Sequence, residues 1–402
     1  MTIDQGYVSD HPFPNCFAEQ LLVVTRGEGV YVEDRTGKRY LDLAGGIAVN
    51  ALGYGRRDLA DIAAEQMLKL AHISNLFATE PGLELAAKMI ASGDFAAVQF
   101  HSSGTEANEA ALKFARLFAR RTRGEGRHKL LCFTGSFHGR TLGALSVTPT
   151  AKYQDPFQPL VPGVETAAYN DLEALEAILD GSFAAVIVEV VQGEGGLAAM
   201  TPAFAAALNR LCRAHGVLLI ADEVQTGMSR TGSFYASRAV GLEPDIITLA
   251  KPLAGGLPLS AVLIPARVND LLHPGEHGTT FGGGPVACAV AGRVWDILSA
   301  PEFIAAVAEK GEFLKSGLED LRASFPFLGE VKGKALLAGV EFTGEEGERL
   351  LSDVMQAAPG KGLLVLRSGR NVLRLAPPLV ILQEELQRGL ALLGEIFLEL
   401  KQ

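Results

Sequence analysis

The sequence predicts an α/β fold: a large domain built on a mostly parallel sheet, joined to a smaller α+β domain. Three observations carry this expectation. From about residue 96 short apolar runs recur, AAVQFH, KLLCFT, AAVIVEVV, VLLIAD and DIITLA, several of them rich in β-branched residues. Between them lie stretches whose apolar residues repeat at helical spacing, the alternation that a parallel sheet with crossover helices requires. After about residue 297 this pattern gives way to amphipathic helix and shorter strands.

In chain order, the segment 1–49 contains GVYVEDRTGKRYLDL, which reads as two strands joined by a turn at Thr36 and Gly37 and is expected to pack with the smaller domain. Residues 50–296 form the large domain. Its helices include EANEAALKFARLFARR and PAFAAALNRLCRAHG, the second closed by Gly216 in the position of a C-cap just before the next strand. Residues 297–402 form the smaller domain, with the helix EFIAAVAEKGEFLKSGLEDL and strands around LLAGVEF and NVLRLAPPL. A chain of 402 residues, 48% of them hydrophobic, is long enough for two packed domains.

Acidic residues outnumber basic ones 46 to 36, the formal charge is -10, and no long Lys/Arg block appears. This argues against nucleic acid or an anionic membrane as a partner. Cys16, Cys132, Cys212 and Cys288 are scattered without a CxxC pair, which fits a reducing cytosol, excludes a thiolate zinc cluster and reads as four buried small hydrophobes. The opening MTIDQGYVSDHPFPNC has neither a basic start nor an apolar core, and no later stretch approaches the roughly 20 apolar residues of a membrane span. A cytoplasmic location is expected.

In such sheets ligands gather at the carboxyl ends of the strands, so the residues after each apolar run matter most. AAVQFH is followed by Ser102, Ser103, Gly104 and Thr105 at the start of a helix, where free N–H groups and the helix dipole favour a phosphate. Taken alone, ordinary capping explains these residues better. KLLCFT is followed by GSFHGRTLG, with the aromatic Phe137 and the cation Arg140 on a glycine-rich turn; in isolation they read as a loop aromatic and a solvated arginine. Glu189 lies inside AAVIVEVV, and the QGEGG that follows brings Glu194 into a loop with little side-chain bulk.

VLLIAD ends in Asp222, a carboxylate at a buried strand exit that needs either loop hydrogen bonds or a cationic partner. DIITLA delivers Lys251 onto a turn stiffened by Pro252, Gly255, Gly256 and Pro258. Desolvation lowers an amine's pKa from its reference of about 10.4 and raises the neutral fraction that attacks a carbonyl, so Lys251 is a candidate Schiff-base former. A phosphate seat, an aromatic plate, an acid and an amine, in this order on successive strands, are the parts that hold pyridoxal phosphate. Asp222 would keep the pyridine nitrogen protonated, and Lys251, once displaced by a substrate amine, would move the proton.

At these positions the sequence resembles the class III (ornithine/4-aminobutyrate type) pyridoxal phosphate aminotransferases. The resemblance rests on SSGTEANEAALKFAR, SFHGRTLGALSVT, EVVQGEGG, LLIADEVQTGMSRTG, DIITLAKPLAGGLP and HGTTFGGGP, in order, and spans nearly the whole chain. GIAVNALG and HISNLF are similar to the acetylornithine branch. The resemblance implies a fold-type I transferase, with Ser103, Gly104 and Thr105 on the phosphate, Phe137 stacked on the ring and Asp222 on its nitrogen. It further implies Glu189, Val224 and Gln225 beside the cofactor, the last near its phenolic oxygen, and Lys251 as the covalent tether. Thr280 would reach the phosphate of the neighbouring subunit, which implies a homodimer. Arg140 and Arg374 would grip the two carboxylates of glutamate or 2-oxoglutarate, and Glu194 would cover Arg374 when the substrate is a terminal amine.

The chain departs from the family pattern at Val190, Ala254, Gly284 and the stretch GYGRRD, none of which removes a cofactor group. These departures leave the amine donor open; the resemblance favours transfer of the terminal amine of N-acetylornithine to 2-oxoglutarate, with ornithine, 4-aminobutyrate, succinyl-diaminopimelate and aminoadipate-type amines as alternatives. A metal site at HPGEH is disfavoured because Pro274 and Gly275 break the helix that would bring His273, Glu276 and His277 together. No phosphate-binding GxxxxGK[ST] or strand-linked GxGxxG motif seats a nucleotide. The remaining rivals are a glutamate-semialdehyde aminomutase, against which the paired arginines argue, and a catalytically silent binding protein, against which Lys251 and Asp222 argue.

Overall fold

A computed structural model of the chain describes residues 14, 16 and 22–400. Most of the opening segment, on which the reading of no export signal rests, lies outside the described residues. Strands β1 (Val24–Glu28), β2 (Tyr31–Asp34) and β3 (Arg39–Asp42) form an antiparallel meander. Asp34 makes the turn between β2 and β3, its Oδ1 accepting from the N–H groups of Thr36 (2.8 Å) and Lys38 (3.1 Å).

The central sheet contains β4 (Ala97–His101), β5 (Lys129–Phe133), β6 (Val164–Ala167), β7 (Phe183–Glu189), β8 (Leu218–Asp222), β9 (Ile246–Leu249) and β10 (Ser260–Ile264). Their order across the sheet is β4-β10-β9-β8-β7-β5-β6. From β6 to β9 the neighbours run parallel, while β10 is antiparallel to both β9 and β4. The five apolar runs of the sequence are β4, β5, β7, β8 and β9. Every residue of β7 and β8 is buried, which is why they read as continuous apolar runs without alternation.

Helix Gly104–Arg123 presses a face of small residues, among them Ala107, Ala110, Ala111 and Ala115, into the interior and so approaches the sheet closely. Helix Pro202–His215 starts on the Thr201 side chain and ends at Gly216, whose φ of 65° is the left-handed stop expected from the sequence. Because all strands of this sheet but β10 run in one direction, their carboxyl ends share one edge.

A third sheet holds β11 (Leu328–Lys334) and β12 (Leu337–Phe342), and next in the chain comes the two-residue β13 (Leu363–Leu364). Strands β14 (Leu366–Ser368) and β15 (Val372–Leu375) join β11 and β12 in the order β11-β12-β15-β14, whereas β13 pairs in parallel with β3. The opening meander is thus hydrogen-bonded to the C-terminal part of the chain. Helices Pro301–Ser324 and Gln383–Glu399 pack against each other beside this region. Cys132, Cys212 and Cys288 are buried, but Cys16 is exposed: it precedes β1, outside the apolar runs that build the core, which corrects its reading as a buried hydrophobe. Among the described residues no helix is long and apolar enough to cross a membrane.

Candidate active site at the carboxyl end of the central sheet

The loops after β4, β5, β7, β8 and β9 enclose a cavity of about 420 Å³. Its walls carry Ser103, Gly104 and Thr105 after β4, Phe137 and Arg140 after β5, Glu189 at the end of β7, Asp222, Val224 and Gln225 from β8 onward, and Lys251 after β9. Ten of the positions singled out in the sequence therefore meet in one space. Arg374, Glu194 and Thr280 do not line it.

Lys251 opens a short 3-10 turn, Lys251–Ala254, whose exit is made by Gly255 and Gly256 at φ of 59° and 104°. A Cβ at Gly255 would stand 2.9 Å from Leu59 Cδ1, so this position needs glycine both for its backbone and for the helix packed on it. The lysine is half-buried, facing the cavity from an otherwise enclosed position. Burial pushes its amine below the ordinary range, against the opposing pull of Asp222, Glu189 and Glu194.

At the start of helix Gly104–Arg123, Ser103 caps the first turn, its Oγ accepting from the Glu106 N–H at 3.4 Å and donating to the Glu106 carboxylate at 2.8 Å. The Thr105 hydroxyl lies 2.8 Å from that of Thr141 and accepts from the Thr141 N–H. Capping therefore accounts for the Ser103 hydroxyl. The first-turn N–H groups of Gly104 and Thr105 have no partner within the helix itself. Gly104 is small for a reason: a Cβ there would meet Val224 Cγ1 at 2.6 Å, so the two cavity walls touch only because glycine stands at 104.

Phe137 and Arg140 form a layered wall. The Arg140 guanidinium lies 3.5 Å from the centre of the Tyr153 ring and 5.4 Å from that of Phe137. The backbone N–H of Phe137 donates to Glu189 Oε1 (2.9 Å), and that of Gly193 donates to Glu189 Oε2 (3.1 Å). Glu189 thus ties the loop after β5 to the loop after β7. Burial, reinforced by Asp222, pushes its carboxyl well above the usual range, while His138 and the two N–H groups oppose the shift.

Asp222 is 4% exposed and its carboxylate meets three donors. Oδ1 accepts from the Val224 N–H (3.0 Å), and Oδ2 accepts from Asn108 Nδ2 (2.8 Å) and His138 Nδ1 (2.7 Å). Asn108 Oδ1 in turn accepts from the Thr248 hydroxyl (2.8 Å). Sequence reasoning missed Asn108, His138 and Thr248. One signal was present: Asn108 is a polar residue on the apolar, alanine-rich face of its helix, and such a residue needs a buried partner.

Arg374 sits on β15 and donates from Nη1 to the Gly193 carbonyl (2.6 Å) and to Glu194 Oε1 (2.7 Å). Its side chain is 3% exposed and that of Glu194 is 33% exposed. Gly193, which accepts from Arg374, donates to the cavity residue Glu189, so the pair stands beside the cavity although it does not wall it. Thr280 is exposed, within a region where Phe281, Leu76 and Phe77 also face outward. In HPGEH, Glu276 is taken up by Arg121 and His277 Nδ1 by Lys113, so these side chains turn to separate cations.

The donor set fits pyridoxal phosphate. Unpaired helix N–H groups suit its phosphate, a ring face suits its pyridine, and an amine suits its aldehyde. The Oε1 atom of Gln225 is buried without a partner among the described residues, as expected of a group completed by a ligand.

The family model Aminotransferase class-III matches residues 15–397. The chain is 42% identical over 393 residues to the acetylornithine aminotransferase of Vibrio parahaemolyticus, covering 98% of this chain and 97% of that one. It is also 42% identical over 379 residues to the acetylornithine/succinyldiaminopimelate aminotransferase of Photorhabdus laumondii, covering 94% of each. Among solved structures, a PLP-bound amine transaminase from an uncultivated Pseudomonas species superposes with a TM-score of 0.91 at 30% identity, over 97% of this chain and 98% of that one.

Proposed function

The chain belongs to the class III aminotransferases, and from that premise we propose that it moves the terminal amino group of N-acetylornithine to 2-oxoglutarate, giving a semialdehyde and glutamate. It is a pyridoxal phosphate enzyme acting on amino-acid and oxo-acid substrates. When bound, the cofactor supplies an electron sink for the bond broken at the substrate carbon.

The residues divide the remaining work. Ser103, Gly104 and Thr105 seat the phosphate, Phe137 covers one ring face, and Val224 and Gln225 lie beside the phenolic oxygen. Asp222 partners the ring nitrogen. Glu189 holds the two flanking loops at their spacing. Lys251 tethers the cofactor and then carries the substrate proton, a role that its lowered pKa supports by keeping more of the amine neutral. Arg140 receives the carboxylate common to both half-reactions.

One observation carries the choice of a terminal-amine donor: the Arg374–Glu194 pair at 2.7 Å. A buried guanidinium left without an anion is costly. Glu194 supplies that anion while a terminal amine is bound, and the second carboxylate of 2-oxoglutarate replaces it in the other half-reaction. The choice of the acetylated amine is supported by the names of the relatives at 42% identity, one of which also bears succinyl-diaminopimelate in its name.

Three further parts belong to this proposal. The protein is a homodimer in which Thr280 serves the partner's cofactor; the support is that Thr280 lies off its own cavity, in an exposed apolar region that includes Phe281. It works in the cytosol, a setting suited to its free cysteines. Its domains are 50–296 and 297–402, with 1–49 joined to the second, as the β3–β13 pairing supports.

The test is single turnover of the purified, yellow protein with a panel of amines, following the loss of visible absorbance. N-acetylornithine is expected to react about tenfold or more faster than 4-aminobutyrate or free ornithine, the span that one pocket contact separates. A faster reaction with either of the other two amines would overturn the substrate while leaving the family intact.

A further inference from the structure

With Asp222 taken as the partner of the cofactor's ring nitrogen, the reading on which this inference rests, its surroundings decide how it presents its charge. A carboxylate offers about four acceptor sites, two on each oxygen. Asn108 and His138 fill both sites on Oδ2, and the Val224 N–H fills one on Oδ1. One acceptor site is left, and it belongs to Oδ1.

The donors are themselves fixed. The Thr248 hydroxyl donates to Asn108 Oδ1, so the amide must turn both its hydrogens elsewhere, one to the His138 carbonyl (2.7 Å) and one to Asp222 Oδ2. Thr248 can do this because its strand places it in register with Asp222. His138 directs Nδ1 at the carboxylate, and its Nε2 is buried without a partner among the described residues. Asn108, His138 and Thr248 are 1%, 2% and 0% exposed, so water does not compete for these bonds. A set made only of donors leaves Oδ2 with no acceptor site to offer a further donor.

We propose that Asn108, His138 and Thr248 are positioning residues that saturate Asp222 Oδ2 and reserve the last site on Oδ1 for the ring N–H of pyridoxal phosphate. They come from the helix after β4, the loop after β5 and β9, so three elements lock one rotamer. Asn108 and His138 also line the cavity, but the effect of all three runs through Asp222, which keeps the ring nitrogen protonated.

The test reconstitutes the apoprotein with pyridoxal phosphate labelled with nitrogen-15 at the ring and reads that nitrogen's chemical shift by solid-state NMR, with the cofactor dissociation constant measured alongside. His138→Phe is expected to move the shift toward the unprotonated form and weaken cofactor binding roughly tenfold, the ordinary effect of losing a hydrogen bond to a charged group. His138→Asn, which returns a neutral donor, is expected to restore most of both. Thr248→Val, a near-isosteric exchange of hydroxyl for methyl, is expected to shift the signal in the same direction by less, and it decides the matter if His138→Phe does not fold. A wild-type shift in both Thr248→Val and folded His138→Phe, with only melting temperature reduced, overturns the inference. Asp222→Asn separates the two levels: if it too leaves the shift unmoved, the pairing of Asp222 with the ring fails; if it alone moves the shift, only the positioning role fails.

Discussion

Asp222 and Arg374 are buried almost equally, at 4% and 2% exposure, but their partners differ in kind. Asp222 is held by a helix amide, a loop imidazole and the backbone N–H of Val224, none of which can leave without unmaking an element of the fold. Arg374 is held by a backbone carbonyl and one carboxylate, that of Glu194, a third of whose side chain is exposed. The contrast matches the roles proposed for the two charges. An interaction needed in both half-reactions gains from complete fixation, because no reorganisation is then required at the moment of reaction. A cation that meets a carboxylate in one half-reaction and none in the other needs a removable counterion.

The largest expected effect lies between these two ends. In the proposed function Lys251 moves the substrate proton in both half-reactions, so its loss is expected to damage both alike. Lys251→Ala is expected to lower each by roughly 10²–10⁴-fold or more, the range of a lost general base, and to abolish retention of cofactor by the protein after borohydride reduction and denaturation. Mass spectrometry and single-turnover rates check this. If only one half-reaction suffers, Lys251 does not serve both ends of the site.

Glu194→Ala is expected to have a smaller and lopsided effect. Without its counterion the Arg374 guanidinium is buried and unpaired in the terminal-amine complex, but it still meets a carboxylate in the 2-oxoglutarate complex. The kcat/KM for the amine donor should fall about tenfold, equivalent to about 1.4 kcal/mol, while that for glutamate changes much less. Equal losses with both donors would mean that the pair at 2.7 Å is structural and that the two buried charges are not so different after all.

The fixed end was only half readable from the sequence, and the reason is physical. Asp222 ends an apolar run and Lys251 directly follows one, so each breaks the pattern by itself, whereas Gly104 and Phe137 sit three residues beyond a run and gained meaning only as members of the ordered set. Strand β10 (SAVLI) follows the Gly-Pro turn so closely that only the folded chain shows it running back between β9 and β4. Strand β6 (VETA) is a four-residue edge strand with too little apolar character to register. Asn108, His138 and Thr248 escaped because their meaning is mutual: an amide, an imidazole and a hydroxyl spread over 140 residues have no shared signature until the sheet brings them to one carboxylate. Thr280 remains a residue whose role is implied by resemblance, since this chain's own cavity does not contain it.

Glu189 spans the fixed and the movable end, accepting from the Phe137 N–H on one side and the Gly193 N–H on the other. Its carboxyl is pushed upward chiefly by burial, so the folded apoprotein holds this proton at a pH where the unfolded chain has released it. The sign follows: its contribution to stability is complete below the ordinary carboxylate pKa of about 4.3 and is lost as pH rises through the raised value. Glu189→Gln removes that titration. The variant is expected to be less stable overall, since an amide N–H must face one of two N–H donors, but its stability should decline less between pH 5 and pH 8 by on the order of 1 kcal/mol. Urea unfolding of the apoproteins at both pH values measures the difference, in which the titrating groups remote from Glu189 cancel. Parallel declines in wild type and variant would show that Glu189 is ionised throughout, and that this link between the loops is held by charge instead of by a retained proton.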